Sequence, residues 1–223
     1  MILIFNMNNY LDKVTPLSND LKQKIFDWKQ NDFPKYENLY KNLDEKGQQP
    51  STMIISCCDS RVNPNSLFQS EIGAHFIHRN IANLVPENSA SSHFYGTSAA
   101  IEYAVNYLKV SHVVILGHSK CGGIKACFDF FESDNKNKSF IELWLEILKP
   151  TFKSLNKKLG RSEMEKILEK EAILNSLKNL LTYSFVKQRV EQNTLSIHGV
   201  WQNLKDASIE YYDNIQGKFI PLE

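Results

Sequence analysis

Charge of one sign is what this chain most plainly lacks. Its 223 residues carry 26 Lys and Arg against 25 Asp and Glu, a formal net charge of +1. That balance leaves no electrostatic footprint for nucleic acid or for an anionic membrane surface. Long apolar runs are missing too, since no stretch approaches the roughly 20 residues of a membrane span. The start, Met1-Ile2-Leu3-Ile4-Phe5-Asn6, is apolar, but it has no basic flank and is too short for a secretory leader. Cysteine is scarce: there are four, with Cys57 and Cys58 adjacent. Such spacing is not that of a secreted disulfide scaffold, and it points to reduced thiols in a cytoplasm. The chain has no internal repeat and no low-complexity tract. What is left is an ordinary globular composition, 42% apolar and 23% charged, in a chain long enough for a sizeable core.

The stretch 112–127 organises what is there. Val113-Val114-Ile115-Leu116 reads as a buried parallel strand. Gly117 ends the run, and Gly122 and Gly123 are expected to turn the backbone before a helix from Ile124. Upstream, 15–45 reads as two amphipathic helices broken at Pro34, either packed on their own domain or serving as a dimerisation arm. Thr52–Cys57 is the first strand candidate and Ala74–His78 a second, with the polar run Arg79-Asn80-Ile81-Ala82-Asn83 just past its end. A helix over 90–108 carries Tyr95, Tyr103 and Tyr107 on one face. Ser133–Ser139 is a polar linker, Phe140–Leu155 a helix bent at Pro150, and Ser162–Glu191 largely helical. Leu195–Trp201 is a further strand, with short strands or turns after it. Alternating strands and helices imply a parallel sheet with right-handed crossovers.

His118 and Cys121, three apart in the turn, can converge on one metal ion. Cys57 ends the first strand, which can neighbour the strand ending at His118. Two thiolates and an imidazole suit zinc, and three protein ligands leave a fourth position open, the mark of a catalytic site. A structural site would need Cys58 or Cys127, and both read as buried small apolar residues. Asp59 and Arg61 lie two apart. Taken alone they read as a loop salt bridge. Beside zinc ligands they read as an oriented carboxylate and a permanent cation that serve the open position. His75, His78, His93, His112 and His198 are too many for any one to be singled out as a proton shuttle.

Cys57-x-Asp59-Ser60-Arg61, then Arg79-Asn80-Ile81-Ala82-Asn83, then Gly117-His118-x-x-Cys121-Gly122-Gly123 resemble the β-class carbonic anhydrases. The stretch 95–105 is similar to the plant-type branch. The resemblance implies an α/β fold: a mainly parallel central sheet of about four parallel strands plus an antiparallel edge strand, flanked by helices, with an N-terminal helical arm. It implies a single domain over 1–223, with the arm at 1–45, the zinc-site core at 46–132 and C-terminal helices and strands at 133–223. The implied activity is reversible hydration of CO2 to bicarbonate and a proton by hydroxide on one zinc ion. Cys57, His118 and Cys121 would hold the metal, with Asp59 and Arg61 as the catalytic dyad. Gln48, Phe76, Ile81, Tyr103 and the Gly122 amide would contact substrate. The implied assembly is a homodimer or homotetramer. In bicarbonate-regulated members a tryptophan stands three residues before the first zinc cysteine. Ile54 stands there here, so Asp59 is expected to stay off the metal at neutral pH. The competing readings are hydrolysis of carbon disulfide or carbonyl sulfide on the same scaffold, and a zinc- or redox-responsive binding module built on Cys57–Cys58.

Overall fold

The computed structural model describes residues 13–89, 95–133 and 139–223. His93, the start of the 90–108 helix, most of the 133–139 linker and the apolar N-terminal stretch lie outside the described residues. The chain forms two compact units, Met1–Gly47 and Gln48–Glu223.

In the first unit, α1 (Asn19–Asp27) is capped by Ser18, whose hydroxyl accepts from the Leu21 amide. The chain then runs through a π-helical turn, Trp28–Asp32, straight into α2 (Phe33–Lys46). Pro34 was expected to break the helix, and it does not. Proline has no N–H and crowds the carbonyl four residues back. The wider turn, closed by the Phe33 amide on the Trp28 carbonyl, accommodates that at the first turn of α2. Trp28, Phe33 and Tyr40 pack ring on ring at 5.5–6.3 Å. Neither helix buries a residue, and Leu21, Ile25 and Phe26 are about half exposed.

The second unit is built on a six-stranded sheet ordered β2-β1-β3-β4-β5-β6. Its strands are β1 (Thr52–Cys57), β2 (His75–Asn80), β3 (His112–His118), β4 (Ser196–Gln202), β5 (Ile209–Asp213) and β6 (Lys218–Pro221). The first four are parallel, as expected. β5 and β6 form an antiparallel hairpin at the edge, so two strands stand where one was expected. β2 runs further than the sequence suggested, because Arg79 and Asn80 pair with Ser56 and Cys57 instead of trailing into a loop.

The helices of this unit are α3 (Pro64–Leu67), α4 (Tyr95–Glu102, continued by a π turn to Tyr107), α5 (Gly122–Phe131), α6 (Phe140–Leu145), α7 (Lys149–Ser154), α8 (Arg161–Leu180) and α9 (Ser184–Glu191). Pro150 sits in the first turn of α7, after a short 3-10 turn, which makes the expected bend. One core joins Met53, Ile55, Val113 and Ile115 of the sheet to Ile101, Ala104 and Val105 beneath α4 and to Ile173 and Leu180 of α8. A second gathers α5 to α8 around Phe128, Leu145 and Leu168, and Cys57 and Cys121 belong to it. Ile54, Val62, Val114 and Leu116 form a third on the other sheet face. Each fully buried aliphatic side chain stabilises the fold by about 1.5–3 kcal/mol.

Two glycines set how closely α8 approaches the sheet. A Cβ on Gly117 of β3 would stand 2.7 Å from Ile173 Cδ1, and one on Gly199 of β4 would stand 2.8 Å from Ile173 Cγ2. Ile173 is thus seated in a hollow that only glycine leaves. Gly117 was expected to end its strand. It is instead a strand residue, paired with Trp201.

Candidate metal centre

β1 is followed by β2 on one side of it, while β3 lies on the other. The ends of β1 and β3 therefore flank the point where strand order reverses, the crevice where open α/β sheets place ligands. Cys57 leaves the end of β1, and His118 is the last residue of β3. Cys121 caps α5, with the amides of Gly123 and Ile124 facing its sulfur. A helix N-terminus with its amides pointed at sulfur favours the thiolate. The ligand atoms of Cys57, His118 and Cys121 all lie within 4.8 Å of one another, and all three residues are buried.

The donor set fits zinc. The two sulfurs stand 3.8 Å apart. A tetrahedral ion about 2.3 Å from each would separate them by about 3.8 Å, whereas a disulfide would bring them to about 2.05 Å. His118 Nδ1 faces the Ser119 carbonyl at 2.9 Å, which leaves Nε2 as the lone-pair nitrogen. Nε2 is buried with no hydrogen-bond partner. The Cys57 thiol is lowered to about 4 by its hydrogen bond with Cys121, and that same bond pushes Cys121 up. A dication at the centre removes this conflict, because it is ligated by both sulfurs as thiolates.

The turn between the ligands has its polar groups accounted for. The Ser119 amide donates to the Gln202 carbonyl at 2.9 Å, and the Ser119 hydroxyl accepts from the Leu204 amide at 2.8 Å. The Lys120 amide donates to Glu169 Oε1 at 2.7 Å, and the Lys120 carbonyl accepts from Arg61 at 3.0 Å. The left-handed residue here is Lys120, at φ 55°, not one of the glycines. α5 accordingly begins at Gly122, two residues earlier than expected. Gly123 serves close approach instead: a Cβ there would stand 2.7 Å from Ile81 Cγ2 and 3.0 Å from Ala82 Cβ.

Asp59 and Arg61 form a bidentate pair. Arg61 Nε donates to Oδ1 at 2.9 Å, Nη2 donates to Oδ2 at 2.7 Å, and the Arg61 amide adds a bond to Oδ1 at 3.0 Å. These bonds hold the Asp59 carboxyl well below the usual carboxylate range. Oδ2 lies 3.9 Å from His118 Nε2, so the clamped carboxylate faces the metal ligands.

Beside this group lies a cavity of about 340 Å³, lined by Cys57, Asp59, Ile81, Gly122, Ala126 and Ile141 among others. It holds two of the five residues that the resemblance assigned to substrate, Ile81 and Gly122. Gln48 is exposed at the surface, and Phe76 packs on Tyr103 at 5.8 Å; none of these three lines the cavity. Tyr103 stacks in turn on Tyr107. Cys58 was expected to be buried, but it is exposed, its amide held by the Asn80 carbonyl as the chain leaves β1. Partial desolvation and the neighbouring Cys57 raise the Cys58 thiol, which disfavours a reactive thiolate there. Cys127 is buried, as expected. Among the histidines, His78 bonds Thr97 at 3.0 Å and His112 bonds His198 at 3.1 Å, while His75 packs edge-on against Phe68.

Three residues that support the site were not singled out from sequence. Arg79 donates to the carbonyls of Cys57, Asp59 and Val62, and so fixes the loop that carries the first ligand and the ion pair. Asn80 closes the next loop, with both side-chain atoms bonded to Leu84. Both lie in the quoted 79–83 motif, which was signal enough to mark them but not to give them a role. Glu169 is 4% exposed and accepts from Lys120 and from Trp201 Nε1 at 3.2 Å. Burial raises its carboxyl, partly offset by those amide and indole donors. Nothing in the run Leu168-Glu169-Lys170-Glu171 separates it from a solvent-facing charge.

Residues 52–209 match the carbonic anhydrase family. The chain is 35% identical over 216 residues to β carbonic anhydrase 3 of Arabidopsis thaliana, covering 95% of this chain and 78% of the relative. This chain belongs to the β-carbonic anhydrase family. Among solved structures, the β-carbonic anhydrase CcaA superposes with a TM-score of 0.84 at 29% identity, over 92% of this chain and 91% of that one. One of two tetrameric β-carbonic anhydrases from Sordaria macrospora superposes with a TM-score of 0.69 at 25% identity, over 91% and 95%. The family binds zinc, and the Cys57–His118–Cys121 group is the place for it in this carbonic anhydrase.

Proposed function

We propose that this carbonic anhydrase reversibly hydrates CO2 to bicarbonate and a proton, with Asp59 and Arg61 as its catalytic dyad. The observation that carries this reading is the Asp59 carboxylate clamped on both oxygens by Arg61 and facing the ligand nitrogen of His118 at 3.9 Å. Bound zinc supplies Lewis acidity that makes water a nucleophile near neutral pH. Arg61 cannot lose its charge, so it keeps Asp59 ionised and fixed in direction. Asp59 Oδ2 then accepts a hydrogen bond from the nucleophile and so aims its lone pair at the substrate. Ile81, Ala126 and Ile141 give the cavity an apolar wall that suits a small uncharged substrate. Ile81 and Gly122 take the substrate-contact roles that the resemblance assigned them. Ile54 is fully buried among Val62, Val114 and Leu116, in keeping with an Asp59 that stays on Arg61.

We assign the protein to a homodimer or homotetramer. The helices of its N-terminal unit bury none of their residues, and tetramers occur among its relatives. No helix among the described residues is long and apolar enough to cross a membrane. Four free cysteines suit a reducing cytoplasm.

Stopped-flow CO2 hydration tests the reading on zinc-loaded wild type and Asp59→Asn. Loss of the carboxylate that orients the nucleophile is expected to lower kcat about 10²–10³-fold. Background rates in both proteins, with zinc bound, would reject it.

A further inference from the structure

The peptide that joins Ile81 to Ala82 lies against the metal ligands, and its two polar ends are held from opposite sides. Its N–H, from Ala82, faces the Cys57 sulfur, as the Asp59 amide also does. Its carbonyl, on Ile81, accepts from the Trp144 indole Nε1 at 2.8 Å. The described residues contain no cis peptide, so this oxygen and this N–H point in opposite directions. A group that fixes the oxygen therefore fixes where the N–H aims.

The backbone here needs fixing. Ala82 and Asn83 both stand in the left-handed region, at φ 61° and 50°, which residues with a side chain rarely adopt. Such a backbone persists only where its surroundings hold it. From within the domain, Asn80 closes the loop onto Leu84, and the Ser176 hydroxyl donates to the Asn83 carbonyl at 3.2 Å. The remaining hold, on the peptide nearest the ligands, comes from Trp144 of α6. That helix is started by a capping box between Ser139 and Glu142, and it also gives Ile141 to the wall of the small cavity.

We propose that Trp144 is a positioning residue of the metal centre: through the Ile81–Ala82 peptide it aims an N–H at the Cys57 thiolate and seats Ile81 in the cavity wall. An N–H bonded to a thiolate ligand draws charge from the sulfur and sets how much is donated to a bound cation. The indole polarises the peptide from its oxygen end and strengthens that N–H as a donor. The inference concerns the ligand set and not CO2 hydration, so it can be tested without an activity.

Chelator competition and cobalt substitution of the full chain test it, on wild type, Trp144→Phe and Ile147→Ala. Trp144→Phe keeps an aromatic ring and removes the indole N–H. Zinc is expected to bind about 2–10-fold more weakly to it, the effect of one net hydrogen bond. In the cobalt-loaded protein the thiolate-to-cobalt charge-transfer band is expected to move to longer wavelength, because a thiolate with a weaker hydrogen bond gives up its electron more easily. Ile147→Ala trims a partly buried side chain in the 3-10 turn after α6, which loosens the same segment without touching the peptide. It should leave the band in place. Matching circular dichroism shows that the variants are folded. A band that stays in place in Trp144→Phe, whatever the zinc affinity, would make Trp144 a packing residue and overturn the proposal. So would a shift of equal size in Ile147→Ala.

Discussion

Replacing Gly117 by alanine tests how α8 is seated and what that seating does for the metal ligands. The new Cβ would lie 2.7 Å from Ile173 Cδ1 and 2.9 Å from Cγ1. Carbon atoms are in good contact at about 3.5–4.0 Å, so roughly 1 Å must be found. Ile173 cannot yield it toward β4, because its Cγ2 already rests on Gly199. The helix itself must lift. Overpacking of this kind costs about 1–3 kcal/mol, a large share of a typical total of about 5–15 kcal/mol. Ile173→Ala alone should cost about 2–5 kcal/mol through the cavity it leaves. In the double variant the new methyl enters that cavity. Urea unfolding of the zinc-loaded proteins should then give a coupling of about 1–3 kcal/mol, the double variant being less destabilised than the sum of the singles. Because α8 carries Glu169, chelator competition should show zinc held more weakly in Gly117→Ala, with recovery in the double variant. Additivity within about 0.5 kcal/mol would refute the seating.

Glu169→Ala leaves the Lys120 amide and the Trp201 indole without their acceptor, at about 1–3 kcal/mol for each buried donor. Glu169→Gln keeps one acceptor oxygen, so zinc affinity measured by chelator competition should fall less than in Glu169→Ala. Equal losses would tell against a bracing role. Asp59 has a folded-state pKa below its unfolded value, so its ion pair contributes stability above about pH 4 that is lost as pH falls through the folded value. The urea midpoints of wild type and Asp59→Asn should therefore differ by a constant amount from pH 5 to 7 and converge below about pH 4. A gap that persists into acid would contradict the pairing.

The central strands were legible because Met53–Ile55 and Val113–Leu116 are unbroken apolar runs, buried on both faces. The metal ligands were legible because short ligand spacing and strand-end placement are local features. Long-range packing was not. The hollow that Gly117 and Gly199 leave is filled by Ile173, a side chain more than fifty residues from β3 in the sequence. The same holds for Glu169, whose burial follows from the docking of α8 and not from its neighbours in the chain. Gly122 and Gly123 misled for a related reason: glycine suggests a turn, but at 123 it was needed so that α5 could touch Ile81 and Ala82. Pro34 misled because a π turn absorbs a proline without ending a helix.

The central claim is that Cys57, His118 and Cys121 hold zinc while Arg61 keeps Asp59 ionised and off the metal. A crystal structure of the zinc-loaded protein at pH 8 tests it most directly. The predicted result is zinc on those three side chains, with Arg61 bonded to both oxygens of Asp59 and neither oxygen on the metal. An Asp59 carboxylate bonded to zinc, with Arg61 released, would contradict it.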